Sequence, residues 1–188
     1  MWKMVSLLAV LVGAVFGATD QYLGSVSHIP WLGEISLLSA PWLVLPFVFG
    51  CTQRRPRRAV LIGCVATAAA LVGYFIMTLS PVEGVHLNGS IGPVLALLHS
   101  EAKVILGGVV TAPLYGYLGY RWRMTRAWLS AALVAGAICL EPLATGAVGR
   151  LPQFSVVWIS ELGIGLVTAT YFAWTGWHYR IQKRPLAT

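Results

Sequence analysis

Residues 54–81 read RRPRRAVLIGCVATAAALVGYFIMTLSP. Between Arg58 and Ser80 stand 21 residues without a charge, entered through four arginines and left through Ser80-Pro81. About 20 apolar residues in a helix cross roughly 30 Å of hydrocarbon, and a helix satisfies its own backbone hydrogen bonds there. The stretch Ala59–Leu79 is therefore read as a membrane-crossing helix, and it sets the fold class.

Working outward, five further apolar stretches of similar kind appear: Met4–Asp20, Ser36–Cys51, Ser100–Tyr120, Ala127–Thr145 and Ser155–Trp177. The expected architecture is all-α, a polytopic bundle of six transmembrane helices forming one domain over residues 1–188. Composition agrees. Of the 188 residues, 57% are hydrophobic and only 10% charged, where a soluble domain carries about 25% charged residues. The second stretch is interrupted by Pro41 and Pro46, which predicts a kink or a partly re-entrant segment. Lys3, the first apolar run and Phe16-Gly17-Ala18 also fit a secretory signal; the segment is read as a retained helix.

The formal net charge of +7 would point to nucleic acid in a soluble chain. Here the cations fall at span ends, so no nucleic-acid partner is expected. Lys3, Arg54, Arg55, Arg57, Arg58, Arg121, Arg123, Arg126, Arg180, Lys183 and Arg184 sort to one side. Only Arg150 falls on the other, with Lys103 at the edge of the fourth span. The positive-inside rule then predicts both termini cytoplasmic in a multi-pass protein of the cell membrane, with the lipid bilayer as its first partner. Cys51, Cys64 and Cys139 show no metal spacing and are expected to be reduced.

The six acids sort the other way. Counting about 1.5 Å per residue from each basic end, Glu141 lies about 22 Å up its helix, Asp20 about 25 Å and Glu161 about 28 Å. Glu101 and Glu34 come out about 30 Å up, and Glu83 lies in the outer loop beyond them. An intramembrane carboxylate costs about 2.5–3.5 kcal/mol, so it faces a bundle interior, a partner or water. This predicts an outward-facing acidic pocket built from Glu141, Glu161, Glu101 and Asp20. Trp158, Trp42 and Tyr22 share the layer, and aromatic faces beside carboxylates suit an organic cation or aromatic solute. Interfacial pairing of the acids with Lys103 or Arg150, and belt anchoring by the aromatics, is the competing explanation. Pro142 beside Glu141, and Gly163 and Gly165 beside Glu161, supply a kink and room for close approach. No nucleophile, phosphate loop or metal motif is visible, His28, His86, His99 and His178 are scattered, and no cofactor is expected.

Ala9, Gly13 and Gly17 repeat at four-residue spacing on one face of the first helix. Such a face admits close helix contact, within the bundle or with a second membrane subunit. In size, six spans and outward polar groups, the chain resembles the substrate-binding S component of energy-coupling-factor vitamin transporters. The Ala9/Gly13/Gly17 face is similar to the alanine-rich face by which those proteins dock their transmembrane partner. The resemblance implies a binding or transport component, possible association with another membrane subunit, and no catalysis by this chain. Two alternatives stay open: a terpene-cyclase-like membrane enzyme using Glu141 and Glu161 as acid and base, and a non-catalytic scaffold subunit.

Overall fold

The computed structural model describes residues 2–26, 29–83, 91–144 and 156–182. His28, His86, Arg150, Lys183 and Arg184 lie outside them. The helices are α1 (Trp2–Ser25), α2 (Pro30–Ser36), α3 (Ala40–Cys51), α4 (Pro56–Thr78), α5 (Gly92–Ser100), α6 (Ala102–Thr125), α7 (Trp128–Ala144) and α8 (Val156–Gln182), with a 3-10 turn at Pro81–Glu83. No strand occurs among the described residues.

Proline and charge explain the boundaries. α2, α3, α4 and α5 each begin with proline in the first two positions, where its missing N–H costs nothing. α6 ends at Arg126, whose φ of 50° is left-handed and whose N–H bonds back to the Trp122 carbonyl. Four helices are long and apolar enough to cross a membrane: Trp2–Ser25, Pro56–Thr78, Ala102–Thr125 and the Val156–Tyr179 part of α8. α3 and α7 are apolar but shorter, at 12 and 17 residues. Leu7, Leu11 and Val15 on α1, Leu106, Val109 and Val110 on α6, and Leu166 and Val167 on α8 all point outward. An apolar exterior of this extent suits lipid rather than water.

The second apolar stretch is not continuous. α2 stops at Ser36, Leu37–Ser39 are non-helical, and α3 starts again at Ala40. A second break falls at Glu101, where α5 ends and α6 begins.

α1, α3, α4 and α6 form one block, in which α1 packs chiefly on α4 and α6 on both α3 and α4. Small residues make this possible. A Cβ at Gly17 would stand 2.7 Å from the Ala70 carbonyl carbon, and one at Gly13 3.2 Å from the Ala70 amide nitrogen. The Ala9/Gly13/Gly17 face is fully buried, and the helix it receives is α4 of the same chain. That face is therefore spent inside the bundle, because backbone contact this close leaves no room for a second subunit's helix.

α7 and α8 pair with each other and lean on this block. Phe172 of α8 packs edge-on against Trp122 (4.6 Å) and Phe47 (6.0 Å), joining a core with Leu118, Val134 and Ile138. At this end Arg123 donates to the Cys51 carbonyl at 2.9 Å, a cation on the C-terminus of α3. Arg58 lies over the Trp2 ring (5.4 Å) and Arg126 over that of Trp122 (5.1 Å). The start of α1, the α3–α4 turn and the end of α6 thus share one basic end.

Candidate functional site

The acids named from sequence separate into two places, on either side of the α2–α3 break. The first is a cavity of about 370 Å³ among α1, α3, α4 and α6, lined by Asp20, Ser39, Trp42, Tyr74 and Glu101, with Thr67 deeper. Asp20 is half-buried five residues before the end of α1, and Trp42 Nε1 donates to its Oδ2 at 3.3 Å. Trp42 is in turn wedged edge-on between Phe16 (5.2 Å) and Tyr74 (6.2 Å). Glu101 enters from the α5–α6 break, and Tyr74 lies in the combined field of Glu101, Asp20 and Glu83. No Lys, Arg or His lines the cavity among the described residues. The volume falls near the lower end of the roughly 300–1,000 Å³ typical of small-molecule sites.

The second place is built on the start of α3. Ser39 would ordinarily cap that helix, but its φ of −86° and ψ of −24° are helical, and its hydroxyl makes no cap bond. The cap comes from α7 instead. Glu141 accepts the Ser39 N–H on Oε1 and the Ala40 N–H on Oε2, the latter at 2.6 Å. A carboxylate at a helix N-terminus answers both the orphan donors and the positive end of the dipole. Glu141 is 7% exposed and the following Pro142 is fully buried, so this end of α7 turns its carboxyl into the protein.

Glu161 of α8 is 4% exposed and faces the Glu141 carboxyl, which is itself an acceptor. Neither Glu161 oxygen gains a donor from the described residues. Glu161 lines a larger cavity, about 1,060 Å³, between α2, α3 and α8. Leu38 lines both cavities, so the α2–α3 break forms the wall between them.

Of the residues expected to share one pocket, Asp20, Glu101 and Trp42 are brought together, and Glu141 and Glu161 are brought together elsewhere. A single acidic pocket is corrected to two sites because Glu141 is drawn to the α3 backbone. Trp158 is buried but lines neither cavity, and Tyr22 is half exposed and lines neither. Gly165 admits α7, since a Cβ there would stand 3.2 Å from the Cys139 nitrogen, whereas Gly163 faces open space. Sequence reasoning passed over Tyr74, although it sits near the C-terminal end of α4 and lines the same cavity as Asp20. Among the described residues no group of three or more His, Cys, Asp or Glu is placed to hold a metal. No family model, curated protein or solved structure matches the chain.

Proposed function

We propose that the chain is a multi-pass protein of the plasma membrane that binds a small organic cation in the Asp20–Glu101 cavity, as a binding or transport component. The observation that carries this reading is the lining itself: one carboxylate from α1 and one from the α5–α6 break, two aromatic rings and no cationic side chain among the described residues. Aromatic faces and carboxylates together favour a cation over a neutral solute of the same shape. The position of the cavity between two interrupted helices supports the same reading, since binding sites at membrane depth are commonly built where helices break. On this reading α2 and α3 together make one broken crossing and α7 a short one, giving six. The Lys and Arg bias then puts both termini in the cytoplasm. The S-component resemblance then rests on size and span number alone, because the Ala9/Gly13/Gly17 face packs on α4.

The test is calorimetric titration of the purified protein with choline and with its neutral carbon isostere, 3,3-dimethyl-1-butanol. The expected result is choline binding about tenfold or more tighter than the isostere. Equal affinities, or no binding of either, remove the reading.

An acid–base enzyme is the second reading, favoured by the apposition of Glu141 and Glu161 beside an apolar cavity. Both Glu141 oxygens are turned to the α3 backbone, which leaves one acid and no evident base. Turnover of a polyprenyl substrate that disappears in Glu161→Gln would reverse the order of the two readings.

A further inference from the structure

The larger cavity is chemically unlike the first. Its wall is apolar, with Ile35, Val44 and Ile164 among its residues, and it carries Trp31 and only two acids, Glu34 and Glu161. Among the described residues no Lys, Arg or His lines it. Glu161 is almost wholly buried and meets no N–H donor, only the neighbouring Glu141 carboxyl, and Oε2 of Glu34 is buried without a partner. A buried polar atom left without a partner costs about 1–3 kcal/mol, more for a charged one, and most are satisfied. The unsatisfied atoms here are acceptors only, and they belong to carboxyl groups set in a greasy wall.

From this geometry we infer that the cavity is a second binding site, for an amphiphile with an apolar body and a primary ammonium head. The body fills the space between α2, α3 and α8. The head supplies N–H donors to Glu161, in a cavity that Glu34 and the Trp31 ring also line. A quaternary ammonium has no N–H and leaves the same oxygens unsatisfied, and an alcohol brings one donor and no charge. The order of preference is therefore amine, then alcohol or quaternary head, whereas the Asp20–Glu101 cavity asks only for positive charge. A volume of about 1,060 Å³ accommodates a medium-chain alkyl group.

The experiment uses the full chain in neutral detergent, and native mass spectrometry counts retained dodecylamine, dodecanol and dodecyltrimethylammonium. The wild type is expected to retain one dodecylamine, at least tenfold more tightly than either analogue. Choline should not displace it, and Asp20→Asn should retain it unchanged. Glu161→Gln should weaken retention about tenfold or more. Glu34→Gln, at a half-buried position that tolerates change, should weaken it by a smaller factor and covers the case in which Glu161→Gln does not fold. Equal retention of the three probes by the wild type would mean a greasy groove without head-group recognition and would overturn the proposal. So would loss of dodecylamine in Asp20→Asn with retention in Glu161→Gln, which would place the amine in the first cavity.

Discussion

Replacing Glu141 by alanine should destabilise the protein far more than replacing the residue that nominally caps α3. Two backbone donors, Ser39 N–H and Ala40 N–H, end on the Glu141 carboxylate; the Ala40 bond is buried and the Ser39 bond partly so. A buried donor left orphaned costs about 1–3 kcal/mol and the more exposed Ser39 donor less, so Glu141→Ala should lose roughly 1–4 kcal/mol. Glu141→Gln keeps the shape and one acceptor oxygen. It gives up the charge at the helix dipole, worth about 1–2 kcal/mol in a partly buried setting. Ser39→Ala should be nearly silent, because the Ser39 hydroxyl makes no cap bond. The assay is reversible unfolding in mixed micelles, followed by tryptophan fluorescence as the denaturing detergent fraction rises. A ranking of Glu141→Ala, Glu141→Gln, then Ser39→Ala supports the cap in trans. Equal midpoints for Glu141→Ala and Ser39→Ala would refute it, and with it the account of why α3 begins inside the bundle.

Two further outcomes follow from packing and charge. Gly17→Ala should destabilise by about 1–3 kcal/mol, since the added methyl meets the Ala70 carbonyl rather than a movable side chain, whereas Gly163→Ala faces open space and should gain up to about 1 kcal/mol in helix propensity. The same unfolding assay distinguishes them, and matching midpoints would contradict the α1–α4 contact. Reporter fusions after Arg58 and at residue 188 should read cytoplasmic and those near His86 and Arg150 external, while an external signal from the Arg54–Arg58 turn would overturn the six-crossing topology.

Much of the helical layout was legible because hydrophobic length and charge punctuation are local properties. α4 runs Pro56–Thr78 where Ala59–Leu79 was expected, and α7 runs Trp128–Ala144 where Ala127–Thr145 was expected. Pro41 and Pro46 were read as interrupting the second stretch, yet both lie within α3. The break itself falls earlier, at Leu37–Ser39, because Pro41 sits harmlessly in the first turn of α3. α5 escaped notice because nine residues opening with Gly92-Pro93 read as an approach to the next helix. The acids were recognised as unusual, yet their grouping was not readable. Depth along a helix says how far Glu141 lies from lipid headgroups, but not which way its carboxyl turns. The donors that claim it come from Ser39 and Ala40, about a hundred residues away in sequence. The Ala9/Gly13/Gly17 spacing signalled close helix packing, and only the fold assigns that contact to α4.

The central claim is that Asp20 and Glu101 hold one cation between them, and a double-substitution cycle on choline affinity tests it most directly. A carboxylate–cation contact is worth up to about 1 kcal/mol when exposed and about 4 kcal/mol at an effective dielectric near 20. The half-buried Asp20 and Glu101 lie between these limits, so Asp20→Asn and Glu101→Gln should each weaken binding at least about fivefold. The double variant should lose detectable binding, while Glu161→Gln, in the other cavity, should leave choline affinity unchanged. A double variant that binds choline as tightly as the wild type would contradict the account.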